Sequence, residues 1–190
     1  MKAHAVQEAV VTASTALQSI QLACGRDNVP AARVRFPRGF MTNAVSHRVS
    51  LPNIGTEVQR RNASYALITV DVLRWLAIRT DLNGAALSVV AKQIIAMFGL
   101  LCEWLTKAAS AGQGSKQSYR DRAVRLAERQ IIDEALKDEL LWVWEMRCYQ
   151  HLYGVRFLEH ARYSRADVNR AQRAYLKLCH LLIEQHGRAN

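Results

Sequence analysis

Residues that break or staple a fold are scarce in this chain. Proline occurs three times, at positions 30, 37 and 52, so nothing beyond Pro52 carries the residue that most reliably stops a helix. The four cysteines, Cys24, Cys102, Cys148 and Cys179, are far apart, with no C-x-x-C pair and no histidine at zinc-finger spacing. A disulfide framework and a zinc ribbon are thereby excluded, and the thiols read as reduced and mostly buried. Also missing are the phosphate-binding G-x-x-x-x-G-K-[ST], the dinucleotide G-x-G-x-x-G, H-E-x-x-H and the serine nucleophile elbow, which removes the usual support for nucleotide hydrolysis, redox and zinc-protease chemistry. No cofactor is expected. The opening Met-Lys-Ala-His-Ala-Val-Gln-Glu mixes charge into its apolar residues and lacks the unbroken core of a signal peptide, so a cytoplasmic location is expected.

Acidic residues are few as well: 16 against 26 lysines and arginines, a formal charge of +10. Such a surface either serves solubility or neutralises a polyanion by releasing its counterions. The remaining pattern is helical, and no alternating run bounded by turn signals suggests a strand. Helices are expected over about 6–23, 56–79, 85–109, 118–130, 133–153 and 167–186, with Gly25 and the Thr80-Asp-Leu-Asn-Gly84 turn as stops and Ser118/Asp121 and Ser164/Asp167 as capping boxes. The apolar stretch 85–105 is long enough to cross a bilayer, but Lys92, Gln93 and Glu103 interrupt it, so it reads as a central bundle helix and not a membrane span. Residues 26–53 hold all three prolines and five arginines opposed only by Asp27, and read as irregular. The expected architecture is therefore an all-α, up-and-down bundle of four to six helices over 55–190. It follows an N-terminal helix and basic extension over 1–54.

Leu136, Leu140, Val143, Trp144, Arg147 and His151 fall within an arc of about 100° on a helical wheel, so an apolar stripe ends in two polar side chains. Arg147 and His151, four apart, either converge on a phosphodiester, one stabilising charge and the other moving a proton, or close the bundle end by bonding to loop carbonyls. The other face of this helix is apolar too, through Trp142, Met146, Tyr149 and Leu152, and calls for a cover: the N-terminal extension or a second copy of the chain. On the 85–109 helix, Ser88, Lys92, Ala96, Gly99, Glu103 and Thr106 lie along one line, either a groove with Lys92 and Glu103 at its ends or a narrow solvent-facing stripe. The last helix displays Arg165, Arg170, Arg173 and Lys177 outward. With Arg156 and Arg162 before it, this face is either solvated or steers a polyanion toward His151.

The order of these parts resembles the HEPN superfamily, the higher eukaryotes and prokaryotes nucleotide-binding domain, over about residues 93–182. The likeness lies in Phe98-Gly-Leu-Leu-Cys-Glu-Trp-Leu105, then Ile131-Ile-Asp-Glu-Ala-Leu-Lys-Asp-Glu-Leu140, Trp144-Glu-Met-Arg-Cys-Tyr-Gln-His-Leu152, a loop with Tyr163, and Asp167-Val-Asn-Arg-Ala171. The resemblance implies a helical bundle that usually dimerises and, in many members, metal-independent endoribonuclease activity in toxin or phage-defence settings. It matches Arg147 and His151 to the family's Arg-x(4–6)-His motif, shortened here to three intervening residues with Cys148 where a polar residue is common, and Glu103 to an acid on the facing helix. What it implies is RNA as substrate, Lys92, Arg156, Arg162, Arg170 and Arg173 as candidate RNA contacts, and Trp142, Met146 and Tyr149 as a homodimer interface. A neutralising or effector protein is a further implied partner. Two alternatives stand beside this: a non-enzymatic nucleic-acid- or protein-binding module, and a regulatory component of a defence system.

Overall fold

The computed structural model describes residues 3–110, 117–151, 157 and 162–188, with side chains described as far as residue 185. Seven α-helices lie among them: α1 (Ala3–Cys24), α2 (Ala44–Val49), α3 (Glu57–Arg79), α4 (Gly84–Ala109), α5 (Tyr119–Glu128), α6 (Glu134–Cys148) and α7 (Arg165–Arg188). No strand occurs among the described residues. The chain divides into two compact units, Met1–Arg38 and Gly39–Asn190.

The first unit holds α1 and a 3-10 turn at Pro30–Ala32. The helix gives way at Gly25, whose φ of +56° is a left-handed conformation that a side chain disfavours, and the Gly25 N–H closes on the Gln21 carbonyl. None of the 22 residues of α1 is buried.

The second unit is an all-α bundle. Its most apolar helix, α4, packs against α3, α5, α6 and α7, and Ile94, Ile95, Phe98, Leu101, Cys102 and Leu105 are at most 2% exposed. α4 is also the one described helix long and apolar enough to cross a membrane, and half of that window is buried inside the bundle. Leu136, Leu140 and Val143 from α6 and Tyr175, Leu178 and Leu182 from α7 complete the core, with the Phe98 and Tyr175 rings 5.4 Å apart. Consecutive helices pack on one another from α3 to α7, as short connections in an up-and-down bundle require.

Helix starts follow side-chain chemistry. Thr56 and Ser118 make reciprocal capping boxes with Gln59 and Asp121, and the Asp133 carboxylate accepts the Leu136 N–H at 2.7 Å.

Two boundaries differ from those expected. The compact bundle begins at Gly39, not near residue 55, because part of the supposedly irregular segment is ordered against α3. Asn43 caps the six-residue α2, the Asp71 carboxylate on α3 accepts the Thr42 N–H at 2.8 Å and lies 3.0 Å from His47 Nε2, and Leu51, Pro52 and Ile54 are buried. The other difference is the end of α6, which is Cys148 rather than Tyr153. Past Tyr149 the backbone tightens: the N–H groups of Gln150 and His151 reach back three residues, to Arg147 and Cys148, instead of four.

Candidate functional site

α4 and α6 meet where Gly99 leaves room. A Cβ on Gly99 would lie 2.6 Å from Arg147 Cβ and 3.4 Å from the Val143 carbonyl oxygen, so the glycine lets the two backbones approach. This settles the small-residue line on α4. It is neither an open groove nor a solvent-facing stripe, since α6 fills its middle and Ser88, Ala96, Gly99 and Thr106 are buried. At one end the Ser88 hydroxyl accepts the Tyr163 N–H at 3.0 Å, and Lys92 lies 5.9 Å from the Tyr163 ring. At the other, Glu103 Oε2 meets Arg147 Nη2 at 3.2 Å, with both side chains a little under a third exposed.

Arg147 is held on a second side by Trp144, whose ring lies 4.7 Å from the guanidinium carbon. Trp144 in turn stacks on Tyr119 from the start of α5, with centroids 4.5 Å apart and planes inclined by 7°. Tyr119 is 3% exposed, and the guanidinium of Arg122, itself 8% exposed, lies 5.7 Å from its ring. Burial drives the Tyr119 phenol far above its ordinary pKa, which keeps it protonated. Tyr119 Oη and Arg122 Nε are buried without a hydrogen-bond partner among the described residues. Glu103, Tyr119, Arg122 and Trp144 border a groove of about 900 Å³ between α4, α5 and α6, also lined by Gln117, Arg120, Trp142, Glu145 and Cys148.

His151 is not among the residues that line this groove. It sits in the bend beyond α6, exposed, so it no longer continues the helical register of Arg147. The thiols offer no nucleophile in the core: burial pushes Cys179 up to about 11 and Cys102 higher still. No group of three or more His, Cys, Asp or Glu placed to hold a metal ion occurs among the described residues.

Several residues read from the sequence as outward charges have protein partners. Arg170 makes two bonds to the Glu139 carboxylate, at 2.6 and 3.2 Å, and lies over the Trp142 ring at 4.0 Å. Lys177 binds Asp133 at 2.7 Å, and Arg165 donates to the Ala77 and Leu82 carbonyls at the α3–α4 turn. The outer face of α7 is thus partly spent on holding α6 and α3, which leaves exposed Arg173 as its freest charge. Arg162 is exposed and lies 3.5 Å from the Phe157 ring; Arg156 falls outside the described residues.

The doubly apolar flank of α6 is partly covered by the same groups. Arg170 lies over Trp142, Phe157 meets Tyr149 edge-on at 5.0 Å, and Met146 packs against the core. Tyr149 also donates to Glu145 at 2.6 Å, and that bond raises its pKa. Tyr119 and Arg122 escaped the sequence reading, because a capped helix start beside a glycine-rich linker carries no signal of what it stacks against.

No protein-family model matches the chain, and neither do curated proteins or solved structures.

Proposed function

We propose that this chain is a HEPN-like RNA-targeting protein, a metal-independent endoribonuclease whose centre is Arg147 with Glu103 and His151. The observation that carries the reading is the Arg147–Glu103 pair. An acid from the apolar central helix and an arginine from the helix facing it come together at 3.2 Å on an accessible rim, in a chain of charge +10. Glu103 Oε2 meets Arg147 at Nη2, and the planar guanidinium carries further N–H donors with which to bind a phosphoryl oxygen.

In this reading the RNA 2′-hydroxyl attacks the adjacent phosphate. His151 takes or returns the proton, Arg147 stabilises the charge that grows on the phosphorane, and Glu103 positions Arg147. The exposed Arg162 and Arg173, with Lys92, provide longer-range attraction. A second copy of the chain, a cytoplasmic setting, and a neutralising or effector protein belong to the same proposal.

A second reading, binding without cleavage, is favoured by the end of α6 at Cys148, which takes His151 out of Arg147's register. Salt-dependent binding of a single-stranded RNA oligonucleotide tests what the two share. Arg147→Ala is expected to weaken binding by about tenfold or more and to lower the salt slope by about one counterion. Binding unchanged by Arg147→Ala would remove this site from both readings.

A further inference from the structure

The first unit carries a feature that the RNA reading does not use. In α1, Ala3, Val6, Val10, Ala13, Leu17, Ile20 and Cys24 follow one another at alternating spacings of three and four, an unbroken heptad stripe along the whole helix. None of its residues is buried: Val6, Val10 and Leu17 are 41%, 58% and 52% exposed, and Ile20 and Cys24 are partly exposed. A helix with valines and threonines through it and no pair of opposite charges gets little support from its own sequence, so its stability calls for a cover on the apolar stripe.

The flanks say what kind of cover fits. Glu8 is the only carboxylate in α1, and lysine and arginine are absent from it, although the chain as a whole has charge +10. An uncharged stripe attracts neither a polyanion nor a charged protein, and it does not repel its own copy. Positions flanking the stripe on one side are Ala9, Ala16 and Ala23, one heptad apart, and on the other Gln7, Ser14 and Gln21. Small side chains permit close backbone approach, and uncharged polar ones leave nothing to clash when the sequence meets itself. At about 1.5 Å per residue the stripe runs for roughly 33 Å, three heptads, which is the span over which such a repeat specifies a helical partner.

We propose that α1 is a self-association helix, and that its occupant is the α1 of a second copy of this chain, paired along the 3–24 heptad stripe. The association is independent of the RNA site and of the Trp142 face.

Full-length protein, nuclease-treated so that bound RNA adds no mass, is weighed by light scattering at micromolar concentration as wild type, Leu17→Glu and Leu22→Glu. Leu22 lies off the stripe and is 78% exposed, so it controls for the added charge. Wild type and Leu22→Glu are expected near twice the 21.4 kDa chain mass, unaffected by salt, and Leu17→Glu near 21.4 kDa, its self-association weakened by about 100-fold or more because the pairing buries two like charges. All four tryptophans lie in the second unit, so an unchanged urea midpoint in tryptophan fluorescence certifies the bundle of each variant. A monomeric wild type, or a dimer that Leu17→Glu leaves intact, overturns the proposal, whichever other surface or partner covers the stripe. RNA binding unchanged in Leu17→Glu separates this result from the RNA reading.

Discussion

At Gly99 a hydrogen stands where any other residue would carry a carbon, and α6 occupies the space so released. Gly99→Ala is expected to destabilise the bundle. A methyl 2.6 Å from Arg147 Cβ forces α4 and α6 apart at a cost of about 1–3 kcal/mol, against up to about 1 kcal/mol returned by the better helix propensity of alanine. A lower urea midpoint with an unchanged slope checks this, and a more stable variant would show that the helices yield without loss. Arg147 with Glu103 contributes little to stability, at most about 1 kcal/mol for a pair this exposed, so its place on the rim is better explained by what it can bind. At this scale the sequence showed which residues stand on one face of a helix. It did not show that Arg170, Lys177 and Arg165 are taken up by Glu139, Asp133 and two carbonyls, because those partners come from other helices whose rotation no single stripe determines.

The helices were legible wherever periodicity and caps agreed: the boxes at Ser118 and Ser164 mark the starts of α5 and α7, and Ser118→Ala is expected to lose about 1 kcal/mol of stability in urea unfolding. Acid should act at the same helix ends. The Ser118 hydroxyl and backbone bonds hold the Asp121 carboxyl below the usual carboxylate range, and Lys177, then the Leu136 N–H, do the same for Asp133. A depressed folded pKa stabilises above the unfolded value, near 4, and that contribution is lost as pH falls through the folded value. The thermal midpoint is therefore expected to be flat from pH 7 to about 5 on this account and to drop below about 4, less steeply in Asp133→Asn. A midpoint indifferent to acid would contradict it.

Legibility failed at two element ends. α2 is only six residues long and sits among prolines and arginines, and what orders it is Asp71, a residue of another helix. The end of α6 was hidden because apolar residues continue at helical spacing to Tyr153 while the backbone tightens at Gln150 and His151.

For the whole molecule, periodicity announced the all-α class and composition the positive charge, and the most apolar stretch did become the centre of the bundle. The sequence set an N-terminal helix and basic extension apart from the bundle but placed the division near residue 54, whereas it falls at Arg38, because the order that Asp71 imposes on the segment after Gly39 is not visible in composition. The two units divide the work in this account: the second holds the Arg147 rim and its aromatic groove, and the first brings copies of the chain together.

Cleavage of total RNA by the wild-type chain beside His151→Ala, with chelator present in both, tests the central claim most directly. His151 is exposed beyond the end of α6, so its loss should leave the fold intact. The account predicts RNA products from wild type and a rate lower by about 100-fold or more in the variant, the usual contribution of a proton-transferring side chain. Cleavage that persists undiminished in His151→Ala, or no products from the wild type at any concentration, would contradict it.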